Sequence, residues 1–191
     1  MTAPVAVVIG GSAGALDVLR TIVRELPADL ACPVTVVLHL PAHSTGLPAL
    51  LGADTGLRVK LAEDKEPLAP GTVYIAPPSY HLLIESQGTF ALSVDPPVHF
   101  SRPSIDVLFE TAADVYGARL IGVLLSGASE DGAAGLQEIH AAGGTTIVQS
   151  PLSAEVAIMP AAALTLFEPT YVWSPNDIAS GLTTLLSGRP A

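Results

Sequence analysis

Val5-Ala-Val-Val-Ile9 is an unbroken apolar, mostly β-branched run ending in Gly10-Gly11, and it constrains the fold more than any other feature. A strand with one wet face alternates apolar and polar residues. A continuous run implies burial on both faces, the situation of a parallel sheet covered by helices. Ala15-Leu16, Leu19, Ile22-Val23 and Leu26 follow at helical spacing, and Pro27 ends that helix. Pro33–His39 is a second buried run, closed by Pro41. Two buried strands joined by a helix form a βαβ unit, parallel and right-handed.

The pattern continues along the chain. Leu57–Leu61 and Thr72–Ile75 read as short strands. His81–Glu85 and Thr89–Val94 flank Ser86-Gln87-Gly88 as a hairpin. Asp95–Pro103 is proline-rich and irregular. Ile105–Tyr116 has helical spacing behind Pro103-Ser104 as stop and cap. Arg119–Leu125 is a third strong buried strand, leading through Ser126–Glu130 into a helix over about Asp131–Ala142. Thr145–Gln149 is a strand, followed by a helix around Pro160–Thr165, a strand around Phe167–Trp173 and a helix around Pro175–Leu186. The expected class is α/β: a doubly wound, mostly parallel sheet with helices on both faces and a small antiparallel hairpin. No repeat or linker divides the chain, so residues 1–191 read as a single domain.

Charge and composition narrow the function. With 8 Lys+Arg against 18 Asp+Glu the formal net charge is -10, and no basic cluster is present to neutralise phosphates, which argues against nucleic acid. No apolar run approaches the length of a membrane span, and the first Arg, Arg20, comes too late for a signal peptide. The single cysteine, Cys32, has no intramolecular partner, which suits a reducing compartment. A cytoplasmic protein that does not insert into membranes is expected.

Gly10-Gly-Ser-Ala-Gly14 spells G-x-S-x-G between a buried strand and a helix, the setting in which a serine is presented at a strand tip. Ser12 could equally be a helix cap. A dinucleotide loop fails, because Ser12 and Ala15 stand where G-x-G-x-x-G needs glycine. His39 closes the second strand, so adjacent parallel strands place it beside Ser12. His43 is four residues on, but Pro41 between them bars a helical metal pair. Asp131, with Glu130 as rival carboxylate, follows the third strong strand, where its plain role is to cap the next helix. In a doubly wound sheet, ligands bind beyond the carboxyl ends of the strands. A serine, a histidine and an aspartate, each after a different central strand, are the parts of a hydrolytic triad. Their order, Ser–His–Asp, differs from the α/β-hydrolase order.

The chain resembles the catalytic domain of the chemotaxis protein-glutamate methylesterases, the CheB family. The resemblance rests on Ile9-Gly-Gly-Ser-Ala-Gly14, Leu38-His-Leu-Pro41, Pro70-Gly-Thr-Val-Tyr-Ile-Ala-Pro77, Arg102-Pro-Ser-Ile-Asp-Val-Leu-Phe109, Ser126-Gly-Ala-Ser-Glu-Asp-Gly-Ala133 and Met159-Pro160, in that order. It implies Ser12 as nucleophile, His39 as base and Asp131, rather than Glu130, as third member. Three departures stand out. Gly11-Ser-Ala-Gly-Ala15 replaces Ala-Ser-Thr-Gly-Gly, Leu38 replaces a frequent Gln, and Ser126-Gly-Ala128 replaces Thr-Gly-Met.

The expected function is hydrolysis of glutamyl methyl esters on chemoreceptor-type proteins, with deamidation of receptor glutamines as a second activity. Backbone N–H groups of Ala13 and Gly14 are the expected oxyanion donors. The expected partners are the cytoplasmic helices of methylated chemoreceptors. No cofactor or metal is expected. Family members usually carry a receiver domain ahead of the catalytic one. The sequence starts directly with the first catalytic-domain strand, so phosphorylation control in cis is expected to be absent and the site to be open and active without phosphorylation, with a separate regulatory protein kept as a further candidate partner. The competing readings are a non-catalytic receptor-binding module of the same fold and an esterase with another substrate.

Overall fold

A computed structural model describes residues 5–40 and 46–187. In chain order the elements are β1 Ala6–Gly11, α1 Leu16–Glu25, β2 Val34–Leu38, α2 Leu47–Gly52, β3 Arg58–Leu61, β4 Thr72–Ile75, β5 His81–Ile84, β6 Phe90–Ser93, α3 Ile105–Tyr116, β7 Leu120–Leu124, α4 Ala133–Ala141, β8 Thr145–Gln149, α5 Ile158–Leu166, β9 Tyr171–Trp173 and α6 Pro175–Leu186. Seven strands form one parallel sheet in the order β3-β4-β2-β1-β7-β8-β9, and β5 and β6 form a separate antiparallel hairpin.

The continuous apolar runs have the expected cause. In β1, Val7 and Ile9 point into a core shared with Leu19, Ile22, Ile178 and Leu182 of α1 and α6. Ala6 and Val8 point into the other core, with Leu108, Phe109, Leu136 and Ile139 of α3 and α4. Both faces are therefore covered by helices, and alternate residues of one strand fill two cores. The hairpin packs on α3. Cys32 lies in the first core, where burial pushes its thiol up to about 11, a packing residue rather than a reactive one.

Several boundaries differ from the sequence reading. β1 runs through Gly10 and Gly11 instead of stopping at Ile9. These glycines serve close approach: a Cβ at Gly10 would lie 2.3 Å from Ile105 Cγ2, and one at Gly11 would lie 2.6 Å from Ala15 Cβ. The last strand is confined to Tyr171–Trp173, because Phe167 caps the end of α5. The short helix α2 was not expected. Pro48 at its start and the three leucines around it gave no full helical period.

Candidate active site

The chain leaves β1 towards β2, β4 and β3 on one side and returns to β7, β8 and β9 on the other. The point where the order reverses lies at β1, and the crevice beyond it is where doubly wound sheets bind ligands. Three loops meet there, at the ends of β1, β2 and β7. The sheet's hydrogen bonding continues into them. Ser12 N donates to Ser126 O at 2.9 Å, and His39 N donates to Gly11 O at 3.0 Å. The tips carrying Ser12 and His39 are thereby fixed side by side by the ladder itself.

Ser12 is not a helix cap. α1 begins at Leu16 behind Ala15, with no side-chain cap. Ala13 and Gly14 form the turn before α1 rather than its first turn, and Gly14 needs its lack of a Cβ (φ +76). Among the described residues neither amide donates a hydrogen bond, so both are free donors. Two groups hold the turn from below. The buried Ser126 hydroxyl donates to Ala13 O at 2.7 Å and accepts from Val156 N at 2.9 Å, and Ser126 N donates to Gln149 Oε1 at 2.9 Å. Gly127 lies so close that a Cβ there would be 3.0 Å from Ser12 Cβ and 2.5 Å from Met159 Cε.

His39 Nε2 lies 2.8 Å from Asp131 Oδ2. That contact leaves Nδ1 as the ring nitrogen able to take a proton from a hydroxyl. The hydroxyl that reaches Nδ1 is that of Ser101, at 3.5 Å, and among the described residues no hydrogen bond joins Nδ1 to Ser12. Ser101 has no counterpart in the sequence reading, because it sits in the irregular stretch before Pro103.

Asp131 is fully buried, while the Glu130 side chain is 70% exposed and turns towards His99. Asp131 does not cap the helix that follows it. α4 starts behind Gly132, in the left-handed region, without a side-chain cap. The carboxylate is instead enclosed by the start of α3: Oδ1 accepts from Ser104 Oγ at 2.7 Å and Asp106 N at 3.0 Å, and Oδ2 accepts from Ile105 N at 2.8 Å. Burial alone would raise its pKa. The hydrogen bonds from His39, the two amides and Ser104 outweigh that and hold it below the usual carboxylate range. Asp106, also buried, accepts from Gly132 N at 2.9 Å and Gly135 N at 2.7 Å, and burial pushes it up to about 6.

The structure therefore brings Ser12, His39 and Asp131 to one crevice and turns Glu130 away. Pro41 and His43 lie outside the described residues. Among the described residues, no group of three His, Cys, Asp or Glu side chains could hold a metal ion. No helix of the described residues is long and apolar enough to cross a membrane. The arrangement offers a hydroxyl at a strand tip, an imidazole held by a buried carboxylate and free amides beside the hydroxyl, a set suited to acyl transfer.

Comparisons with known proteins agree with this geometry. The family model for CheB methylesterase matches residues 7–182. A Leptospira interrogans relative, provisionally named protein-glutamate methylesterase/protein-glutamine glutaminase, is 48% identical over 175 residues, 91% of each chain. Protein-glutamate methylesterase/protein-glutamine glutaminase 2 of Methanospirillum hungatei is 38% identical over 184 residues, which cover 96% of this chain and 53% of that protein. The crystal structure of the Thermotoga maritima CheB methylesterase catalytic domain superposes with a TM-score of 0.92 at 32% identity, covering 96% of this chain and 100% of that one.

Proposed function

The chain belongs to the CheB methylesterase family, and on that premise we propose that Ser12, His39 and Asp131 are its catalytic triad, acting on glutamyl methyl esters of chemoreceptors. The single observation that carries the assignment is the 2.8 Å contact between His39 Nε2 and the buried Asp131. A carboxylate enclosed by four donors has no role as a surface charge, and it orients an imidazole at the mouth of the crevice.

The proposed steps use these groups in turn. Ser12 Oγ attacks the ester carbonyl carbon while His39 Nδ1 takes the hydroxyl proton, and the carbonyl π pair moves onto oxygen. The amides of Ala13 and Gly14 receive that oxyanion. As the carbonyl re-forms, the C–OCH3 bond breaks and His39 returns the proton to the departing methoxide, releasing methanol. A water then attacks the acyl-serine with His39 again as base, which frees the glutamate carboxylate and restores Ser12. Asp131 keeps the Nε2–H tautomer and stabilises the imidazolium. The same acyl-enzyme forms from a glutamine side chain with ammonia as leaving group. The names of the Leptospira and Methanospirillum relatives support that second activity. In this reading the 191 residues act as one domain in the cytoplasm, on the cytoplasmic helices of methylated receptors.

Methanol release from methylated receptor membranes tests the proposal, together with serine labelling by a fluorophosphonate. The chain should release methanol and take up label on Ser12, and Ser12→Ala should do neither. Absence of both from the unaltered chain, or equal rates in Ser12→Ala, would overturn it.

A further inference from the structure

Residues 98–101 form a two-residue turn at the edge of the crevice. Val98 N donates to Ser101 O at 3.1 Å and Ser101 N to Val98 O at 2.8 Å. Its two central residues, His99 (φ 47) and Phe100 (φ 61), are both left-handed. Such a turn favours Asn and Gly, since side chains are strained there. Strain of this kind persists only where the surroundings enforce it, and it concentrates at functional sites.

The surroundings here do enforce it. His99 lies between two carboxylates, with Nε2 3.4 Å from Asp106 Oδ2 and Nδ1 3.6 Å from Glu130 Oε1. On the other side Ser101 Oγ reaches His39 Nδ1. Arg102 Nη1 donates to the carbonyls of Val94 and Asp95 at 2.7 and 2.9 Å. What this framework presents is the Phe100 ring, 104% exposed, while Phe90 and Phe109 are fully buried. Phe100 lines one cleft with His39, Leu40, Ser101, Arg102 and Pro103, and Leu40 is itself partly exposed.

We infer that Phe100 is a specificity residue, an aromatic anchor carried on a fixed turn, that seats against an apolar patch of a protein substrate beside the reacting ester. The inference rests on the receptor reading given under the proposed function. A chain of net charge -10 gains no long-range attraction to a partner rich in glutamates, so docking must come from apolar contact. The turn that carries the ring is already in place, so binding orders one side chain and not the loop.

The test pairs binding with turnover. Ser12→Ala, which cannot consume its substrate, should co-sediment with methylated receptor membranes, and Ser12→Ala/Phe100→Ala should bind at least tenfold more weakly. In the active background, Phe100→Ala should raise KM for receptor methanol release by a similar factor and leave hydrolysis of p-nitrophenyl acetate unchanged. Phe100→Gly removes the strain, so it should melt no lower than the unaltered chain while binding as poorly as Phe100→Ala. Equal binding with and without Phe100, binding by neither protein, or parallel loss of p-nitrophenyl acetate hydrolysis would overturn the inference. Phe100-dependent binding without methanol release would instead overturn the proposed chemistry and leave the docking role standing.

Discussion

Asp106 and Asp131 cap each other's helices. Asp131, one residue before the cap of α4, accepts the first amides of α3, those of Ile105 and Asp106. Asp106, in the first turn of α3, accepts the first amides of α4, those of Gly132 and Gly135. Each carboxylate thus sits at the positive end of its partner's helix dipole. The proposed third triad member is built into the packing of α3 on α4, and it is held there whether or not His39 is charged.

Asp131→Asn should therefore damage both activity and stability. In the known triad example the same change costs about 10⁴ in turnover. Both Asp131 oxygens accept from backbone amides, so whichever becomes NH2 leaves one buried N–H facing a donor, a loss of about 1–3 kcal/mol. Glu130→Gln touches neither. Ester hydrolysis and melting temperature measured on both variants check this, and an Asp131→Asn protein with normal melting would contradict the geometry.

Asp106→Asn should behave differently. Both of its amide bonds go to Oδ1, so an amide with its NH2 in place of Oδ2 keeps the α4 cap. The pH dependence has a definite sign. Burial raises Asp106 from 3.8 to about 6, so the stability it contributes is present below about pH 4 and lost as pH rises through 6, on the order of 3 kcal/mol in all. Asp131, held low, acts in the opposite sense below pH 4. Urea titrations between pH 4 and 7 should show Asp106→Asn gaining on the unaltered chain up to pH 6 and level above it. A constant difference across that range would refute the assignment.

Gly10→Ala should disturb the site from beneath. The new methyl would lie 2.3 Å from Ile105 Cγ2, a stiff, fully buried side chain at the first residue of α3. Relief requires moving the amides that hold Asp131. About 1–3 kcal/mol of stability should be lost, and p-nitrophenyl acetate hydrolysis should fall at least tenfold. Gly88→Ala is the control. Gly88 has φ +75 but open space around it, so it should cost about 1–2 kcal/mol and leave turnover unchanged.

Ser126→Ala removes the hydroxyl that ties Ala13 O and Val156 N together beneath the nucleophile turn. A loss of about 1–3 kcal/mol is expected, with fluorophosphonate labelling of Ser12 slowed. Unchanged labelling kinetics would show that the ladder bond from Ser12 N to Ser126 O holds the turn without it.

The parallel sheet was legible because Val5–Ile9, Pro33–His39 and Arg119–Leu125 must bury both faces, and such runs have few other folds open to them. Strand tips then placed Ser12 beside His39. The choice between Asp131 and Glu130 was not legible from these residues alone: adjacent carboxylates differ only in which way the backbone turns them, and that depends on left-handed Gly132. Ser101, Asp106, Ser126 and Gln149 stayed hidden because their partners are 23 or more residues away, beyond any local period. A buried Asp in the first turn of an otherwise apolar helix face was the one local sign of Asp106.

The burial of Cys32 has a practical side. It is the chain's single cysteine, and its thiol does not ionise near neutral pH. Val94→Cys, at an exposed position whose carbonyl accepts from Arg102, would carry the sole reactive thiolate and leave the Phe100 ring in place. A maleimide spin label placed there would sense immobilisation when a receptor membrane closes over the crevice, so the protein's own chemistry already isolates a reporter at the edge of its proposed active site.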